Sequence, residues 1–346
     1  MRDPLGNRRP DQLSLPEHGG RVARAARQWG IPEEQWLDLS TGINPVSWPV
    51  PAIPASVWQR LPEDDDDLPS AIRHWSGAPA AASCLPVPGS QAAIQLLPQL
   101  YPRGRVGIPV PGYREHGYWW RRAGHETVPV ALDRVQRDDR WLDSVDVLVW
   151  INPNNPTGLA IPAGHLRQWH QRLQSRGGTL VVDEAFVAPG GNQSLAPFTG
   201  TAGLVVLRSL GKFFGLAGVR AGAVLGSDEV ISALAHRLGP WAMSGPARYV
   251  MQRALGDESW QRRADVRLRE SAHRLHQLLL THGLGESSGT ELFRYLAHPN
   301  AAGIHQALAR QAVLVRRFEA PSAIRVGLPG DEAQWRRLDA ALAKCH

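Results

Sequence analysis

Short runs of valine, leucine and isoleucine recur through the middle of the chain at residues 106–108, 145–151, 179–182, 204–207 and 221–225. Polar or amphipathic stretches such as 163–175 separate them. Unbroken apolar runs of this length, rather than alternating ones, are the mark of strands buried on both faces of a mostly parallel sheet. The spacing predicts short helices over 21–29 and 68–75, and a third opening at Gly89-Ser90-Gln91, with Ser90 as the N-cap of a run through Leu97. Beyond Pro240 the texture changes to one long arginine-rich amphipathic helix over 246–280, an apolar run at 292–296, a helix, runs at 313–318 and 324–326, and a terminal helix. The expected fold class is therefore α/β: a large domain over 45–240 with a mostly parallel central sheet and helices on both faces, and a smaller α+β domain over 241–346. Residues 1–44 are expected to form an N-terminal arm and part of the small domain.

At 346 residues the chain can bury a large core. Its basic first ten residues lead into Asp11, Glu17 and glycines rather than an apolar run, so neither a secretory signal nor a membrane span is expected, and the cytoplasm is the expected location. The formal charge of +6 does not point to nucleic acid, because the arginines are scattered and no helix-turn-helix, finger or RNA-binding signature is present. Cys84 and Cys345 form no metal-ligand spacing; no metal and no structural disulfide are expected. The thirteen tryptophans read as packing or a subunit interface. The acidic run at 64–67 reads as a solvated loop.

Candidate chemistry begins with a rarity. Of 38 basic residues only Lys212 and Lys344 are lysines, and Lys212 sits in the glycine-rich turn Ser209-Leu210-Gly211-Lys212-Phe213-Phe214-Gly215. A guanidinium stays protonated, whereas a desolvated lysine can lose its proton and form a Schiff base. Four further signals fall at or near the carboxyl ends of predicted strands, where open α/β sheets hold ligands. Pro88-Gly89-Ser90-Gln91 opens a helix whose free N–H groups suit a phosphate. Asn152-Pro153-Asn154-Asn155-Pro156-Thr157-Gly158 is a rigid turn directly after an apolar strand. Asp183 and Glu184 emerge from another, where a carboxylate needs a cationic partner. Ser209 and Arg220 flank the lysine with a hydroxyl and a guanidinium, again suited to a phosphate.

A phosphate, an aldehyde for Lys212 and a cationic ring nitrogen for Asp183 describe pyridoxal 5′-phosphate. With these motifs in this order over residues 40–330, the chain resembles the fold type I pyridoxal-phosphate enzymes of the aminotransferase superfamily. The resemblance implies roles: Lys212 joined to the cofactor, Asp183 against the pyridine nitrogen, and Asn155 on the phenolic oxygen. Gly89, Ser90, Gln91, Ser209 and Arg220 would hold the phosphate, Tyr113 of Pro111-Gly112-Tyr113 would stack on the ring, and Arg325 of Ile324-Arg325-Val326-Gly327 would grip the substrate carboxylate. Phe186 and Leu61 stand where many relatives carry tyrosines, so Asn155 is expected to carry more of the contact to the ring.

Those motifs leave the reaction open, since the ring accepts electrons from any bond broken at Cα. The N-terminal segments are more particular. Glu17-His18-Gly19-Gly20, a helix, then Leu37-Asp38-Leu39-Ser40-Thr41-Gly42-Ile43-Asn44-Pro45 resembles the threonine-phosphate decarboxylases of cobalamin biosynthesis. This implies decarboxylation of L-threonine O-3-phosphate, with His18, Gly19, Asn44 and Arg316 around the substrate phosphate. Strand alternation lets only one of the neighbours Arg316 and Arg317 face the site. Lys212 is the expected proton donor to Cα, with Tyr113 or a water as alternatives. The competing readings are a histidinol-phosphate-type aminotransferase, a cofactor-binding regulator, and a non-catalytic partner in assembling the aminopropanol arm. A homodimer is expected, with the helix at 68–75 and the acidic loop before it as the contact.

Overall fold

The computed structural model describes residues 15–136, 138–191 and 193–345. The first fourteen residues of the expected N-terminal arm lie outside the described residues. After Leu37–Asp38 (β1) come Ser83–Val87 (β2), Arg105–Val110 (β3), Glu126–Ala131 (β4), Val147–Ile151 (β5), Thr179–Asp183 (β6), Leu204–Ser209 (β7) and Gly222–Gly226 (β8). The last seven form one sheet in the order β2-β8-β7-β6-β5-β3-β4. Pairing is parallel from β7 across to β4 and antiparallel where β8 joins β7 and β2. Every residue of β5, β6 and β8 is buried, as their unbroken apolar runs demand. The two strands that the apolar pattern does not predict, β2 and β4, are the sheet's edges; each contains a proline and is partly exposed, so neither makes a clean run.

The remaining strands are Ser288–Thr290 (β9), Phe293–Ala297 (β10), Val313–Leu314 (β11), Arg316–Phe318 (β12) and Ala323–Gly327 (β13). They make an antiparallel sheet β12-β13-β10-β9 and a two-strand parallel pair in which Leu37 and Asp38 lie beside Val313 and Leu314. The expected single run at 313–318 is thus two strands in two sheets, broken at Val315, which is itself buried. The expected helix over 246–280 is likewise two, Gly245–Gly256 and Glu258–Thr281. The break is local chemistry: Gly256 is a poor helix former, and the Asp257 carboxylate accepts from the Trp260 N–H as the cap of the second helix.

Two other expectations change. Ser90 is the first residue of its helix, not the cap; Gly89, at φ 76°, takes that place in a conformation that favours glycine. The acidic run is solvated at Asp64, Asp65 and Asp67, as expected, and is tethered as well, because the buried Arg248 guanidinium donates to both carboxylate oxygens of Asp66 and to Asp64. The helix Leu68–Ser76 that follows buries Leu68 and Ile72 completely and packs against Gly245–Gly256 of the same chain, so its apolar face is not available for a dimer contact. Large apolar side chains left in solvent include Trp58, Leu61 and Trp241. No described helix is long and apolar enough to cross a membrane, and no cluster of metal-binding side chains occurs among the described residues.

Candidate active site

The strand register lines up the first half of the site. Ile151 pairs with Asp183, Asp183 with Leu207, Ser209 with Gly222 and Gly222 with Val87, so the carboxyl ends of β5, β6 and β7 and the turn after β2 share one edge of the sheet. There the Arg220 guanidinium lies across Gly89: a Cβ added at Gly89 would fall 2.7 Å from its Nη2. Gly222 is as constrained, since a Cβ there would fall 2.8 Å from the Ser90 nitrogen. Two glycines therefore keep open a cradle lined by the first N–H groups of the Ser90–Leu96 helix, the Ser209 hydroxyl and Arg220, which sits in a left-handed conformation at φ 56°. Free helix N–H groups beside a guanidinium are a phosphate site.

Asp183 is 4% exposed and fully engaged. Its Oδ1 accepts from the Ala185 N–H at 3.0 Å, and its Oδ2 lies 2.9 Å from Nε2 of the buried His116. His116, one helical turn past Tyr113, was not evident from sequence. Its link to Asp183 forms only when the helix Arg114–Arg122 packs behind the sheet edge. Glu184, the next residue, points to the opposite face and pairs with Arg208 at 2.8 Å in a buried ion pair, while also accepting from Ser194 and the Leu195 N–H. Burial pushes the Glu184 carboxyl up against those partners.

Lys212 stands on a loop held from both sides. Phe213 and Phe214 pack on Trp260, the latter stacked at 5.6 Å, and Trp48 donates its N–H to the Phe214 carbonyl. Its Nζ lies 5.6 Å over the Phe186 ring. Burial, with the nearby Arg325 and Arg220 charges, pulls the amine down to about 8 against the opposing pull of Asp183. Asn44, expected at the substrate phosphate, is not among the cavity-lining residues. Its amide donates to the Phe213 carbonyl at 2.8 Å and accepts from Val46, and its own N–H donates to the Lys212 carbonyl. It clasps the lysine loop instead of lining the cavity.

A cavity of about 240 Å³ opens beside these groups, lined among others by His18, Gly19, Tyr113, Asn155, Lys212, Arg316 and Arg325. Of the three asparagines in the turn after β5, only Asn155 reaches it. Asn152 closes a double hydrogen bond with Ile161, and Asn154 holds Thr157 and the Pro111 carbonyl. Arg325 is 7% exposed and donates to Asn155 Oδ1 at 2.5 Å and to the Ser40 carbonyl at 3.0 Å. Burial and the neighbouring Arg316 pull its guanidinium down to about 10, which leaves it a cation at neutral pH. Arg316 pairs with Arg325 across β12 and β13 and donates to the Glu17 carbonyl at 2.7 Å; Arg317 does not line the cavity and pairs with Glu319. The Tyr113 hydroxyl donates to Gln91 Oε1 at 3.2 Å, and burial first, then Glu115 and Asp183, push it up. Gln91 spends its amide N–H on Glu115, so its side chain faces Tyr113 and Glu115.

The groups present fit pyridoxal 5′-phosphate: a phosphate cradle that any Cβ at Gly89 would fill, a buried carboxylate for the ring nitrogen, and an amine able to be neutral between them. A family model described as aminotransferase class I and II matches residues 62–342. Threonine-phosphate decarboxylase of Pseudomonas aeruginosa is 50% identical, over 94% of this chain and 97% of that protein. The protein of the same name from a Sinorhizobium species is 40% identical over the same shares, 94% and 97%. Among solved structures, histidinol-phosphate aminotransferase from Sinorhizobium meliloti in complex with pyridoxal-5′-phosphate superposes with a TM-score of 0.80 at 20% identity, covering 99% of this chain and 96% of that one. With nearly the whole length matched, and with the cradle, carboxylate and lysine in one site, the chain belongs to the aminotransferase class I and II family and, within it, to the threonine-phosphate decarboxylases.

Proposed function

We propose that this chain is a pyridoxal-phosphate-dependent carboxy-lyase. It converts L-threonine O-3-phosphate and a proton to (R)-1-amino-2-propanol O-2-phosphate and CO2, a step of cobalamin biosynthesis. The observation that carries this reading is the pair Arg316 and Arg325, cross-strand neighbours lining one cavity whose hydrogen-bond acceptors are the neutral oxygens of Glu17, Ser40 and Asn155. Two guanidinium groups that donate only to neutral oxygens, with the Glu17 carboxylate the acidic charge acting on Arg316, stand beside an amine that can be neutral and suit an amino acid with two anionic groups. Phosphothreonine brings a carboxylate and a phosphate, and the relatives' names favour the same substrate.

In this reading Ser90, Ser209, Arg220 and the helix N–H groups hold the cofactor phosphate, Tyr113 covers the ring, Asn155 Nδ2 reaches the phenolic oxygen, and Asp183, fixed by His116, faces the ring nitrogen. When bound, the cofactor supplies a cationic conjugated ring that takes up the electron pair of the bond broken at Cα. Arg325 grips the carboxylate, where a planar guanidinium suits bidentate contact, and so fixes which bond at Cα stands across the ring. His18, with Gly19 behind it, and Arg316 hold the substrate phosphate. Lys212 Nζ, buried and able to be neutral, would be the amine that holds the cofactor through its aldehyde, and the same amine would carry the proton delivered to Cα. The enzyme works as a cytoplasmic homodimer, supported by the exposed Trp58, Leu61 and Trp241.

The test is to incubate the cofactor-loaded protein with L-threonine O-3-phosphate and no oxo acid. Release of CO2 together with aminopropanol phosphate, abolished in Lys212→Ala, is the expected result. Glutamate formed from histidinol phosphate and 2-oxoglutarate, with no CO2 from phosphothreonine, would replace the lyase with an aminotransferase.

A further inference from the structure

Residues 17–20 run as a strap across the cavity mouth, pinned at three points. Arg316 of the small sheet donates to the Glu17 carbonyl, the Gly20 N–H donates to Ser40 Oγ at 2.7 Å, and His18 Nε2 lies 2.6 Å from Glu115 Oε1. Gly19 must be glycine because a Cβ there would overlap the Ser40 carbonyl oxygen. Glu115 stands in the first turn of the Arg114–Arg122 helix and is 6% exposed. Its second oxygen accepts from Gln91 Nε2 and from Trp119 Nε1, both at 2.8 Å. Burial raises the Glu115 carboxyl, but the three donors outweigh burial and hold it below the usual carboxylate range, so it is an anion at neutral pH. One carboxylate thus joins the strap, the helix that opens the phosphate cradle, and through Gln91 the Tyr113 hydroxyl.

We infer that Glu115 is a positioning residue for recognition of the substrate phosphate: by accepting from His18 Nε2–H it fixes the ring in the cavity wall, so that the imidazolium form, with both nitrogens protonated, has its Nδ1–H left to donate to the ligand. Three features carry the inference. The His18 ring is partly covered and its ring neighbour Tyr113 is 5.7 Å away and tilted, a contact too loose to fix the ring angle, whereas the carboxylate contact is short and directional. The carboxylate is the acceptor given to Nε2, and its remaining oxygen is anchored to a different element, so the imidazole inherits the rigidity of the sheet edge. A bare carboxylate at this wall would repel a phosphate, and the short contact to His18 places a hydrogen-bonded ring between them.

The inference rests on the substrate proposed above, and its test separates the two. In the cofactor-loaded protein, Glu115→Ala raises KM for L-threonine O-3-phosphate about tenfold while kcat moves little, as loss of a hydrogen bond to a charged group should. KM for L-threonine, which lacks the phosphate, rises by much less than KM for the phosphorylated substrate. The double variant His18→Ala/Glu115→Ala is no worse than His18→Ala alone, since Glu115 acts through His18. Glu115→Gln keeps the volume and must turn one amide group toward a donor, so it falls between wild type and Glu115→Ala; it serves if the alanine variant does not fold. Calorimetric binding of inorganic phosphate to the loaded protein should weaken by the same factor in Glu115→Ala and His18→Ala. That arm decides the role of Glu115 even if phosphothreonine proves not to be the substrate. Additive losses in the double variant, equal losses with threonine, or unchanged phosphate binding would overturn the inference.

Discussion

The two halves of the site are built differently. On the cofactor side, Asp183, Ser209, Lys212 and Ser90 each sit within three residues of the end of a strand in one sheet, and the ladder register sets their spacing. On the substrate side, a ladder of the smaller sheet sets Arg316 beside Arg325, but His18 and Ser40 come from the strap and the segment after β1, and the bonds that tie the strap and this segment to the arginines and to Glu115 are single hydrogen bonds to two carbonyls and one carboxylate. A ladder distributes the cost of placing a side chain over many backbone bonds; a lone contact between distant segments does not. The cofactor half should therefore fail all at once when its lysine is removed, and the substrate half should degrade by steps with cofactor binding intact.

The sharpest break is Lys212→Ala. CO2 release should fall by on the order of 10³-fold or more, and borohydride should no longer fix the cofactor to the chain by mass spectrometry. Wild type offers a pH signature of the same residue. With the amine drawn down to about 8, it is protonated below that pH, so the rate at which cofactor-free protein captures pyridoxal phosphate should climb through pH 8 and level off above it. A lysine at its ordinary value would still be climbing at pH 10.

Smaller effects sharpen the contrast. Arg325→Leu removes a buried guanidinium and should raise KM for the amino acid by about 10- to 100-fold, while the dissociation constant of the cofactor stays within about threefold. Arg316→Ala should cost about tenfold in KM for the phosphorylated substrate, and Arg317→Ala less than about twofold, since its exposed pair with Glu319 is worth little. Asn155→Ala should move the absorbance titration of the bound cofactor by about one pH unit, the size of one hydrogen bond, and loosen Arg325, to which Asn155 supplies an acceptor. An unmoved titration would show that the ring does not depend on Asn155.

Legibility followed the same division. Lys212, Asp183, Asn155 and Ser209 were each readable as candidates because an apolar run announces a buried strand and polar groups follow at its end, whereas the Gly89 turn was readable only from its own Gly-Ser helix start, since the strand before it makes no clean run. Asn44 was misread: its place beside proline in a motif-like segment suggested a ligand contact, but its side chain bonds to Phe213 and Val46. The helix predicted at 68–75 was expected at a dimer contact, and nothing local shows that its apolar face packs on Gly245–Gly256 of the same chain. Glu115 and His116 belong to none of the motifs read from the sequence, although both are buried and each contacts a site group.

By itself the sequence determined the order in which candidate groups follow the strands, which lysine is the candidate for covalent chemistry, and the cofactor such a set can take, because those depend on hydrophobic periodicity and on residues close in the chain. Only the tertiary structure decided between Arg316 and Arg317, withdrew Asn44 from the cavity and brought Glu115 to His18 across 97 residues. The pairing of side chains far apart in sequence is set by how elements pack, and no local pattern records it.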